Sequence, residues 1–388
     1  MSAVVTAPSA TVAQVSGRNA SRETVLAVLA KRTYVLVPGK PLALAREQLP
    51  LRKMPVIDAE KRNLLVTDQD CYPYKPRTDV VVRGHVHAPG KKEIVAEIGV
   101  GDVTHRILAI GDRKVTRTGS TITFGEPKAV GKVPLTFEHA YGGWDRRAEE
   151  KYGHPMANLA RYAQPNTDLH AYSPFVYPRN RHGRGYVLDA TDETLAELLL
   201  PNLEDPADRL TPGRLVLAHW RDWTKQPLPA ATTWVSPGYY GRGIFGGMRP
   251  FWEPIPEDIA EVKRKLVPRE ALDIDVTKGH PLLKDLACGA PLGLQLPYVK
   301  PGTPIRLANL HPGSQSFTVS LPIGTPKISV DGRDGKLLPT EPVIHHVEIE
   351  PDEGRLSIVW RGSAPARRDY HPQELERMPL RVEWTEAR

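Results

Sequence analysis

Residues 78–87 read TDVVVRGHVH. Three consecutive valines, a fourth next to the end and a glycine within form a β-rich run, the composition of a strand packed on a neighbour. Ala88, Pro89 and Gly90 turn the chain back. Three further short strands follow at 93–100, 103–110 and 114–118, separated by Gly-Val-Gly-Asp and Gly-Asp turns. Strands at this spacing, each bounded by turn residues, predict a β-sandwich or a related meander. The pattern returns beyond Gly302, with strands expected at 303–310, 316–321, 326–330, 343–350 and 355–361, and a last one at 380–384.

Outward from that stretch the chain divides into four parts. Residues 1–22 are small and polar and read as a flexible tail. Residues 23–145 form an N-terminal β-rich part. Within it, 25–37 reads as one long strand or a strand pair; a helix over 21–31 competes, because Ser21 can cap it and Ala and Leu favour it. Residues 146–301 break the pattern with Pro, Tyr, Trp, Arg and Gly, and two short helices are expected inside, at 191–200 and 256–266. Residues 302–388 form a C-terminal β-rich part. The expected fold is mainly β, with 23–388 packed as one body around an irregular middle.

The 388 residues include 38 prolines and 31 glycines, a load that argues against a helical bundle. The net charge of +7 is dispersed among acidic residues and does not name nucleic acid as a partner. The N-terminus lacks the charged and apolar regions of a signal peptide, and no window of about 18 apolar residues predicts a membrane span. A cytoplasmic protein with Cys71 and Cys288 reduced is the expectation.

Candidate chemistry is sparse. Residues 136–143, TFEHAYGG, end a strand-like run in which Val133, Leu135 and Phe137 alternate, and then turn on paired glycines before Trp144. Residues 241–246, GRGIFG, match G-x-G-x-x-G, but Pro237 and Pro250 flank them and no helix is expected to open there. His85 and His87 share a strand face and could hold a metal, with no third ligand identifiable by spacing. Glu138 with Asp145, or Glu204 with Asp205, could pair as carboxylates, as could many acids here. No G-x-S-x-G elbow is present. Arg179, Arg181, His182 and Arg184 cluster beside Tyr177 and Tyr186. With Tyr239, Tyr240, Phe245, Phe251 and Trp252 they have the Arg and aromatic character of a protein-binding surface. Single-stranded nucleic acid is the less favoured partner. No cofactor and no small-molecule substrate is expected.

Six stretches occur in one order: YKPRTDVVVRGHVHAP (74–89), PLTFEHAYGG (134–143), NRHGRGY (180–186), LPNLEDP (200–206), NLHP (309–312) and IVWRG (358–362). Together they resemble an uncharacterised-domain family found in type VI secretion loci. This chain carries His139 and Tyr141 where that family usually has Arg and Phe, and Arg181 where it has Pro. The resemblance implies a non-enzymatic adaptor or chaperone. It would bind a secretion effector and help load it onto the spike (VgrG/PAAR-type) complex, with no catalytic residues and no metal. The matching motif residues Glu138, Tyr141, Gly142, Gly143, Trp144, Gly183 and Gly185 are expected to be mainly architectural. The alternative is a metal-dependent hydrolase using His85 and His87.

Overall fold

The structure is a computed structural model that describes residues 3–6, 9–19, 21, 23–61, 63–153, 175–217, 220–237, 239, 242, 288–334 and 336–384. Strands predominate, in several sheets, with short helices between them. The expected helix at 256–266, the GRGIFG stretch except for Arg242, and Tyr240, Phe245, Phe251 and Trp252 lie outside the described residues.

The largest sheet runs Gln295–Leu296, Thr78–Val82, Val343–Glu350, Arg355–Pro365, Thr24–Val35 and Val12–Arg18, with Ala43–Leu44 appended to Thr24–Val35. Thr78–Val82 and Val343–Glu350 pair in parallel, His346 opposite Asp79. All other pairs in this sheet are antiparallel. Val80, Val81 and Val82 are fully buried, each a contribution of about 1.5–3 kcal/mol. A second sheet runs Leu203–Glu204, Val103–Ile110, Glu93–Val100, Pro304–His311 and Ser314–Ser320. A third runs Ala3–Val5, Arg381–Trp384, Lys327–Asp331 and Leu337–Pro339. Their apolar faces meet in one core that includes Val80, Ile98, Ile305, Ile328 and Val347. The two expected β-rich parts therefore contribute strands to the same sheets.

Three expectations are corrected, and the reading of 25–37 as one long strand is met. Residues 12–18 are not a loose tail: Val12 through Arg18 pair antiparallel with Ala30 through Thr24, and Val12 and Ala13 are buried. Residues 24–35 form one strand and no helix. Neighbours on both sides satisfy its backbone, which outweighs the weak helix preference of its Ala and Leu residues. Residues 78–87 are two strands, Thr78–Val82 and His85–Lys91, parted at Arg83 and Gly84. The second leaves the large sheet and pairs with Val130–Pro134. Phe137, expected in a strand, opens a 3-10 turn instead.

Candidate functional site

The six motif stretches, scattered through the sequence, come together in three clusters. The first joins 134–143, 180–186 and 200–206. Tyr141–Gly142 pairs in parallel with Arg184–Gly185. Between them stands the buried Asn180, whose side-chain amide donates to Phe137 O at 2.7 Å and Tyr141 O at 3.0 Å. Its own carbonyl accepts from Gly143 N at 2.8 Å. The backbones are so close that a Cβ on Gly142 would sit 2.1 Å from Asn180 O, and one on Gly183 2.5 Å from Ala140 O. Gly142 and Gly143 have φ of 147° and 123°, which side chains disfavour. Asn202, in the 200–206 stretch, ties on a third chain. It accepts from Arg184 at 2.6 Å and from the His139 ring at 3.1 Å, and donates to Ile110 O and Asp112.

Beside this clasp, Asp145 caps the helix Arg146–Tyr152 through Ala148 N at 2.9 Å and also accepts from Leu188 N and Asp189 N. Trp144 donates to Glu149 at 2.6 Å, with the Arg146 guanidinium 5.0 Å from its ring. Tyr177 packs edge to face with Tyr141 and Trp223 and at a tilt against Tyr186. Burial and the mutual presence of their neighbouring hydroxyls push the Tyr141 and Tyr186 phenols up.

The expected partner-contact residues divide at this point. Tyr177 and Tyr239 are 0% and 1% exposed, so the expectation that they present a contact surface is corrected. Tyr177 donates to Pro227 O, and Tyr239 packs on Phe137 and bonds His182. Arg179, Arg181 and Arg184 are half-buried. Arg179 lies 4.9 Å over Trp223, and Arg184 is held by Asn202. Glu138 reaches outward to Lys61 at 3.1 Å.

The second cluster joins 74–89 and 358–362 in the interior of the large sheet. Lys75 and Asp79, both fully buried, pair at 2.6 Å, and Asp79 also accepts from Gly289 N and Ala290 N. Asp70 receives Lys31 at 2.9 Å and Arg52 at 2.6 Å; Arg52 also meets Glu348 at 2.7 Å. Burial would raise the Asp70 carboxyl, but His346, Lys31 and Arg52 outweigh it and hold it well below the usual range. The same contest, won by Arg52 and Arg83, brings Glu348 down to about 2. His346 Nε2 lies 3.2 Å from Asp70 but off the line of a hydrogen bond, and burial pushes the His346 imidazole pKa down. His345 is the extra residue of a β-bulge between Ile344 and His346, and both its ring nitrogens are buried without a partner. Burial, with Lys75 and Arg361 nearby, keeps it neutral far below its ordinary pKa.

The third cluster joins 83–89 to 309–312. His85 Nδ1 and His87 Nε2 each donate to one oxygen of Asp352, at 2.6 and 2.7 Å. Burial works against the Asp352 charge, but the two imidazoles prevail and depress its pKa. His311 stands close enough to feel both His87 and Asp352. The metal-pair geometry expected of His85 and His87 is thus spent on a carboxylate. Among the described residues no group of three or more His, Cys, Asp or Glu is arranged to hold a metal ion.

Asn180, Asn202, Asp70, Asp79 and Asp352 carry these clusters and were not singled out from the sequence; Asp145 was, but as a possible partner of Glu138. Asn180 and Asn202 lie inside quoted motifs, and for Asn180 the nearby Gly183 and Gly185 were the available signal. Cys71 and Cys288 form no disulfide, and burial beside Asp70 raises the Cys71 thiol to about 11. No helix of the described residues is long and apolar enough to cross a membrane.

A family model described as an uncharacterised protein conserved in bacteria (DUF2169) matches residues 21–361. The chain belongs to that family. No curated protein and no solved structure matched it.

Proposed function

We propose that the protein is a non-enzymatic adaptor that holds a type VI secretion effector in the cytoplasm and helps load it onto the spike complex. The observation that supports this reading is the convergence of six motif stretches on three clusters in which most polar groups serve one another. In the first, Asn180 and Asn202 bond backbone carbonyls and neighbouring side chains. In the second, lysine and arginine are matched to carboxylates. In the third, the two histidines are matched to one carboxylate. Such residues build a rigid scaffold, and rigid scaffolds suit binding modules whose affinity depends on a preformed surface. A hydrolase needs convergent groups left free toward a substrate.

The test is made in the native cell. Removing the chain should leave spike secretion intact while one toxin fails to leave with it. Undiminished export of every effector would contradict the proposal. Metal analysis of purified protein addresses the hydrolase: a stoichiometric bound metal would favour that reading over the adaptor.

A further inference from the structure

The five-stranded sheet ends on Ser314–Ser320, whose outer side pairs with no strand among the described residues. Its inner side pairs with Pro304–His311, Ile305 opposite Val319 and Leu307 opposite Phe317. Leu321 N donates to Thr303 O, which sets the alternation. Residues 317, 319 and 321 therefore turn their backbone groups inward, and Ser316, Thr318 and Ser320 turn theirs outward. Pro304, opposite Ser320, has no N–H to give and agrees with this parity; its carbonyl accepts from Gly101 N on the other side. Phe317 and Val319 are buried, while Ser316, Thr318 and Ser320 are exposed.

Natural sheet edges are usually guarded by charge, proline, a bulge or a covering segment. Among the described residues, three other strands of seven or more residues leave one side open along most of their length, and each is guarded. Val12–Arg18 is covered by the 370–378 segment, through Gln14 to Met378 O at 2.6 Å and Ser16 to Tyr370. His85–Lys91 contains Pro89 and ends in lysine. Val103–Ile110 carries Arg106, and the 292–294 turn lies against His105. Ser314–Ser320, SQSFTVS, has no charge, no proline and no covering chain among the described residues.

We propose that this edge joins two copies of the chain into one continuous antiparallel sheet, with the two-fold axis at Thr318. The strand is self-complementary about that residue. Thr318 faces its own counterpart, and Ser316 faces Ser320, so small hydroxyl side chains pair across the seam. Each outward residue exchanges an N–H and a C=O, about six hydrogen bonds in all. No like charges meet. Arg306, opposite Thr318, is drawn inward to Thr104 at 3.2 Å and toward Glu97 at 3.9 Å. This contact is independent of the adaptor reading, because it needs only this chain.

The test is the mass of the purified protein by sedimentation velocity from ~1 to ~200 μM, a span that covers weak interface affinities. The wild type should shift from one chain to two as concentration rises. Thr318→Lys places like charges at the axis, and Thr318→Pro removes an outward donor without touching the inner ladder. Both should stay at one chain throughout. If Thr318→Pro loses its cooperative melt, Thr318→Lys decides alone. A wild type of one chain at the highest concentration, an assembly larger than two, or a folded Thr318→Lys variant that dimerises like the wild type would each overturn the proposal.

Discussion

Gly142→Ala tests whether the motif clasp is architecture. The new Cβ would lie 2.1 Å from Asn180 O, and Asn180 Cβ and Cγ would be 2.8 and 3.0 Å away. Asn180 cannot retreat freely, since its carbonyl holds Gly143 N and its amide holds Phe137 O and Tyr141 O. Holding alanine at a φ of 147° costs of order 1–3 kcal/mol. Displacing a packed backbone costs about 1–3 kcal/mol more. The sum, about 2–6 kcal/mol, is a large part of the roughly 5–15 kcal/mol that holds an ordinary domain. Gly131→Ala is the control, because nothing lies within 4 Å of its Cβ and its φ is not positive. Urea unfolding followed by tryptophan fluorescence measures both. The control should move by no more than about 0.5 kcal/mol. A Gly142→Ala protein as stable as the control would refute the reasoning.

Other consequences follow from the same contacts. Trp144→Ala removes the bond to Glu149 and the ring under Arg146, so its thermal midpoint should fall before any partner affinity does; lost binding at an unchanged midpoint would make Trp144 a contact residue. Asp79→Asn leaves Lys75 as a buried cation without its carboxylate and should cost about 3–5 kcal/mol in a denaturant titration, so a loss below ~1 kcal/mol would contradict the buried pair. His345 stays neutral in the folded chain while the unfolded chain takes up a proton near pH 6.5, so stability should decline as pH falls below that value. His345→Leu should hold stability at pH 7 and show a shallower decline toward pH 5; identical slopes would remove His345 as a cause.

Much of the fold was legible where local signals agreed. The strands at 93–100, 103–110 and 343–350 fall on their expected bounds, because glycine, proline and aspartate turns fix the ends of alternating runs. Thr191 caps a helix over Asp192–Glu197 as its side chain predicts, accepting from Thr194 N. Illegible features depend on distant chain. Residues 12–18 are polar on alternate positions, and only the hairpin to 24–30 and the cover from 370–378 make them a strand. The break after Val82 arises because Asp79 is bound to one sheet and Val86 to another, which no period-two pattern encodes. The clusters were less legible still. Asp352 lies 265 residues beyond His87, and Asn180 and Phe137 meet across 43 residues. Lys75 and Asp79 stand four apart, a spacing that usually signals a helix, yet they pair beside a strand.

The central claim is that this chain carries a protein client. Its most direct measurement is capture of the tagged chain from its native cell, with bound proteins quantified by mass spectrometry. The adaptor account predicts a large toxin or a spike protein in amounts near those of the bait. A bait that comes through free of any such partner, even after chemical cross-linking before lysis, would contradict it.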